Sequence, residues 1–93
     1  MSTDAPHCSV TIVNSRGLHA RAAAKFVKMA TGFDATVGVT RNGQTVSGHS
    51  IMGLMMLAAS PGTDIHIAAD GREADTALAA LKALVEAGFD EDD

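Results

Sequence analysis

The 93-residue chain has no tryptophan and no tyrosine, and its aromatic residues stop at three phenylalanines. Its core must therefore come from Val, Ile, Leu, Met and Ala, and it lacks the stacking platforms that hold single-stranded nucleic acid. A net charge of −4 also argues against a nucleic-acid partner. The one cysteine, Cys8, can close no internal disulfide, which suits a reducing compartment, so a cytoplasmic location is expected. His7, His19, His49 and His66 show no i, i+3 or i, i+4 pairing, and Cys8 has no CxxC partner, so neither a metal site nor a cofactor is expected. The first residues carry no basic segment leading into a long apolar run. Neither a signal peptide nor a membrane span is expected.

What is present suffices for one domain covering 1–93, with an ordered part of about 8–88 and an acidic tail, 89–93, expected to be disordered and dispensable. Charge is unevenly placed. Four of the seven basic residues, Arg16, Arg21, Lys25 and Lys28, fall within thirteen positions. A basic patch on an acidic protein suits docking to an acidic surface or the handling of phosphate.

Periodicity gives the elements. Residues 8–13 alternate and are rich in β-branched side chains, which predicts a strand. A helix is predicted over 20–30, ending at Thr31-Gly32. The runs 35–40 and 44–48 flank Asn42-Gly43, the strongest hairpin signal in the chain. A short apolar helix over 51–58, opened by Ser50, is closed by Ser60-Pro61-Gly62. A strand over 64–69 and a long helix over 73–87 complete the order β-α-β-β-α-β-α. Short connections and one clear hairpin predict an α+β fold: an open-faced two-layer sandwich, with an antiparallel sheet covered on one side by three helices.

The chemistry concentrates around Gly17-Leu18-His19-Ala20-Arg21. On the predicted helix, Ala23, Phe26, Val27 and Ala30 share one face, while Arg21, Lys25 and Lys28 form a cationic stripe on the other. No Ser, Thr, Asp or Asn stands immediately before Ala20 to cap the helix, so its first amides are expected to be open to an anion. The positive helix end also favours a neutral, nucleophilic imidazole at His19. This pattern predicts covalent phosphorylation of His19, with the Ala20, Arg21 and Ala22 amides and the Arg21 guanidinium holding the phosphoryl oxygens. A plain surface histidine near a helix start is the competing reading. Ser50 likewise has two roles open to it, a helix cap and a phosphorylation site.

Two segments resemble one known family. Gly17-Leu18-His19-Ala20-Arg21 followed by Lys25-Phe26-Val27 is similar to the active-site signature of HPr, the histidine phosphocarrier of the bacterial phosphotransferase system. Ser50-Ile51-Met52-Gly53-Leu54-Met55-Met56-Leu57-Ala58 is similar to that family's regulatory-serine segment. The resemblance spans Val10 to Gly88. It implies sheet order 1-4-2-3, a phosphoryl group taken on Nδ1 of His19 from enzyme I, charged by phosphoenolpyruvate, and handed to an enzyme IIA domain. It further implies Ser50 as a target of an HPr kinase/phosphorylase. The Ser-Ile-Met-Gly-Leu-Met-Met run is similar to the nitrogen-related branch. Ala22 departs from the proline most members carry, which leaves partner identity open.

The expected partner surface comprises Arg21, Lys25, Lys28, Ile51, Met52 and Met55, since flexible thioethers suit a surface that must fit several partners. Ile51, Leu54 and Ala58 are the face of the second helix expected to be buried. A monomeric carrier, not a stand-alone enzyme, is expected, because no second acid or base is visible around His19. The alternative is a small regulatory module that binds proteins without covalent chemistry.

Overall fold

In the computed structural model, which describes residues 5–91, the chain forms β1 (His7–Thr11), α1 (Ala20–Thr31), β2 (Thr36–Arg41), β3 (Gln44–Ser47), α2 (Ile51–Met56), β4 (Asp64–Asp70) and α3 (Ala74–Glu86). A 3₁₀ turn, Gly88–Asp90, follows α3. The four strands form one sheet in the order β1-β4-β2-β3, every pair antiparallel. The predicted element order and the 1-4-2-3 sheet are both observed, and the elements differ from the predicted ranges only at their ends.

Alternation decides which sheet face carries the helices. Val10, Val37, Val39, Ile65, Ile67 and Ala69 are buried, while the residues between them, such as Ser9, Thr11, His66 and Asp64, are wholly or partly in water. On that open face Ser9 Oγ lies 3.3 Å from His66 Nδ1, and Thr11 donates to Asp64 at 2.6 Å. The Asn42-Gly43 turn has φ of 51° and 77°, the double positive φ that a primed hairpin turn requires.

Helix packing departs from the predicted wheel in two places. Ala22 is fully buried with Ala23, Phe26 and Ala30, whereas Val27 is only partly covered. In α2, Leu54 and Leu57 are the inward residues. Ile51 is 40% exposed and Ala58 lies in solvent. The helix stops at Met56 because Leu57 turns inward as its C-cap, its carbonyl accepting from Arg41 Nη1 at 2.9 Å, and Ala58 then enters the left-handed region at φ 52°. Of the expected face only Leu54 is buried, and Leu57 takes the place expected of Ile51 and Ala58.

Ser50 is the N-cap of α2, its Oγ accepting from Gly53 N–H at 2.9 Å. Beside it His49 Nε2 accepts from Val37 N–H at 3.2 Å, which ties the cap to the edge of β2. Among the described residues no helix is long and apolar enough to cross a membrane.

Candidate functional site

The loop from β1 to α1 is pinned before the helix begins. Gly17 has φ 63°, and a β-carbon there would lie 2.4 Å from the Ala59 carbonyl oxygen, so only glycine fits. Leu18 N–H donates to that same oxygen at 2.9 Å and its side chain is buried, which sets His19 at the mouth of α1.

The helix start, expected from its sequence to be uncapped, carries a side-chain cap. His19 itself is the N-cap: its backbone is extended (φ −76°, ψ 179°), and its Nδ1 accepts from Arg21 N–H at 3.3 Å. Histidine is an unusual cap, but a nitrogen lone pair two atoms beyond Cβ can reach the second amide of the first turn. The amides of Ala20 and Ala22 have no acceptor among the described residues, so the first turn keeps donors to offer.

The other ring nitrogen is also engaged. His19 Nε2 lies 2.6 Å from Glu91 Oε2, and the His19 side chain is 24% exposed against 9% for Glu91. Burial by itself raises the Glu91 pKa. Hydrogen bonds from Asn14 and His19, with the electrostatic pull of the imidazole and of the Lys25 ammonium, outweigh that and hold the carboxyl below its ordinary range. An ionised carboxylate can only accept, so Nε2 carries the ring proton; Nδ1, accepting from an amide, carries the lone pair. The two contacts agree on one tautomer, in which Nδ1 holds the lone pair.

Glu91 is held in turn. Asn14, fully buried, donates from Nδ2 to Gly17 O at 2.8 Å and to Glu91 Oε1 at 3.0 Å. Its Oδ1 is buried with no partner among the described residues. Lys25 Nζ donates to the Phe89 carbonyl at 2.6 Å, and the Phe89 ring is fully buried in the core. Phe89 and Asp90 both have φ 58°, a conformation that costs non-glycine residues roughly 1–3 kcal/mol each. The segment expected to be a dispensable tail from 89 onward is therefore ordered through Glu91; residues 92 and 93 lie outside the described residues. Glu91 also stands as a second titratable group against the His19 ring, where the sequence shows no second acid or base organised around it.

The cationic stripe is divided. Arg21 and Lys28 are exposed, and neither makes an ion pair among the described residues, while Lys25 is spent on the C-terminal turn. Met52 (69%) and Met56 (66%) are well exposed, with Ile51 and Met55 near 40%. Asn14 and Glu91 were not singled out by sequence reasoning. The signal available was a large aromatic, Phe89, inside an otherwise acidic terminus, since such a residue needs a core to enter.

Comparison with known proteins agrees with this geometry. Residues 7–87 match the family described as "PTS HPr component phosphorylation site". The "Phosphocarrier protein HPr" of Pseudomonas aeruginosa is 49% identical over 87 residues, covering 92% of this chain and 97% of its own. The "Phosphocarrier protein NPr" of Shewanella violacea is 45% identical over 82 residues, covering 88% and 90%. A crystal structure of HPr-C-His from Thermoanaerobacter tengcongensis superposes with a TM-score of 0.89 at 37% identity, covering 94% of this chain and 98% of that one. With its His19 loop, its 1-4-2-3 sheet and these relatives in accord, the chain belongs to the HPr family of phosphocarrier proteins.

Proposed function

We propose that His19 is the phosphoryl acceptor, taking the group on Nδ1 from enzyme I charged by phosphoenolpyruvate and passing it to a histidine of an enzyme IIA domain. The observation that carries this reading is the ring's state: Nδ1 holds its lone pair toward the open first turn of α1, while Nε2 is tied to Glu91. The Arg21 amide meets that lone pair before transfer and is placed to meet a phosphoryl oxygen after it. The amides of Ala20 and Ala22 add donors, and the exposed Arg21 guanidinium, which makes no ion pair among the described residues, supplies a positive charge. With alanine at 22, this helix start offers an amide that proline would remove.

Arg21, Lys28, Ile51, Met52 and Met55 form the surface on which partners dock, with Lys25 contributing through the C-terminal turn it anchors. Ser50 is the site of regulation: phosphate on its Oγ would displace the cap to Gly53 and put negative charge within an interface that must accept acidic partners. The Ser-Ile-Met-Gly-Leu-Met-Met run and the similarity to the Shewanella NPr support assignment to the nitrogen-related branch. The carrier works as a cytoplasmic monomer.

The test is stoichiometric. Incubated with enzyme I and phosphoenolpyruvate and weighed at alkaline pH, the protein gains one acid-labile phosphoryl group, and His19→Ala gains none. No gain by the wild type favours a non-covalent binding module. Equal labelling of all four histidines overturns the single-site reading.

A further inference from the structure

The end of the chain is more deliberately placed than a terminus needs to be. Gly88, Phe89 and Asp90 follow one another at φ 64°, 58° and 58°, although two of the three carry a β-carbon. Such backbone persists only where its surroundings over-determine it. Here the Phe89 ring is sunk in the core, its carbonyl accepts from Lys25, and Glu91, two residues on, is drawn back over Asn14. The outcome of that path is one contact: Glu91 Oε2 at 2.6 Å from Nε2 of His19.

We propose that Glu91 is a positioning residue for phosphoryl transfer, keeping the His19 proton on Nε2 and balancing the positive charge the ring takes up when Nδ1 bonds to phosphorus. The proposal rests on the reading of His19 as the acceptor. In the transfer the Nδ1 lone pair forms the new N–P bond. The donor's bond to phosphorus breaks, and its electron pair stays on the donor atom. No proton leaves the His19 ring, so Nε2–H is retained and the imidazole becomes a phosphorylated imidazolium. A carboxylate already fixed at Nε2 stabilises that charged ring more than it stabilises the neutral one, which is what lowers a barrier. The phosphoryl group sits on the opposite ring nitrogen, facing the first turn of α1, so its charge and that of Glu91 are kept on separate sides of the ring.

Asn14 supports the arrangement. Its two donor contacts lock the loop carbonyl of Gly17 and the second oxygen of Glu91, so the carboxylate cannot rotate away from the ring. The contact also uses a residue beyond the stretch that matches the family, which ends at 87.

Two full-length variants separate geometry from charge. Glu91→Gln leaves an acceptor for Nε2–H without the charge, and Glu91→Ala removes both; Glu86→Gln, on the exposed side of α3, removes the same charge elsewhere. Ring ¹⁵N shifts of unphosphorylated protein are expected to show the Nε2–H tautomer in the wild type, E86Q and E91Q, and a mixture of tautomers in E91A. Phosphorylation by enzyme I is expected to slow roughly tenfold in E91Q and further in E91A, in kcat with KM little changed, and not at all in E86Q. An E91A protein with the wild-type tautomer, or an E91Q protein phosphorylated at the wild-type rate, overturns the proposal. Failure of the wild type to take up phosphate overturns the acceptor reading instead, and the two are distinguishable because the tautomer is read before any phosphate is added.

Discussion

His19 takes its properties from neighbours near and far in the chain: an amide two residues on, a carboxylate seventy-two residues on, and the asparagine that holds that carboxylate. Asn14 is the member with least freedom, since both its donors are used and Oδ1 is left unpaired. Asn14→Asp preserves its shape but replaces the donors with a second carboxylate 3.0 Å from Glu91. A loss of about 1–3 kcal/mol in denaturant unfolding is expected from the unsatisfied groups alone. The same variant should release Glu91 from His19, visible as a change in the His19 ring shifts; unchanged stability and shifts would contradict the role given to Asn14. His19 and Arg21 could be singled out from the sequence because both belong to one helix start. Asn14 and Glu91 stayed illegible because a hydrogen bond between residues seventy-seven apart leaves no mark in spacing or periodicity.

At the scale of elements, two short pieces matter most. The six-residue α2 is too short to stand by itself and depends on its cap and on Leu54 and Leu57. Ser50→Ala should lower stability by about 1 kcal/mol in thermal or chemical unfolding, and no change would mean that Oγ does not serve the cap. The C-terminal turn depends on charge. The Glu91 carboxyl titrates below its ordinary value of 4.5, so it binds its proton less readily folded than unfolded. Its contribution is present in full above the unfolded value and is lost as pH falls through the lower folded one. Lys25 faces it with positive charge, His19 with the Nε2 side of its ring, and Asp90 adjoins it along the chain. Amide protection in residues 88–91, corrected for intrinsic exchange, should therefore fall as pH drops through the lowered Glu91 range, ahead of the sheet. Phe89→Ala should detach the same turn at any pH and cost about 3–5 kcal/mol, because it empties a fully buried site. Strands and long helices were legible from alternation and helical spacing. The turn was not, since two consecutive left-handed residues carry no sequence signature apart from Gly88.

At the scale of the molecule, the sheet's open face is polar, and the proposed acceptor lies in the helical layer where the β1–α1 loop meets the 88–91 turn. Ile51, Met52, Met55 and Met56 on α2 form an exposed apolar surface. Met52→Lys should weaken docking to enzyme I by tenfold or more while leaving the fold and the His19 ring untouched, as judged by titration binding and ring shifts. An affinity equal to the wild type's would move the docking surface elsewhere. The order of elements and the layer were readable from the sequence because short loops and one Asn-Gly turn leave few topologies. The sheet order came through the likeness of two motifs to a family, not from the pattern of residues.

The most direct measurement is a ³¹P–¹⁵N correlation spectrum of the protein after reaction with enzyme I and phosphoenolpyruvate. The account predicts a single phosphorus coupled to Nδ1 of His19, with the proton remaining on Nε2. Coupling to Nε2, or to a nitrogen of His7, His49 or His66, would contradict it.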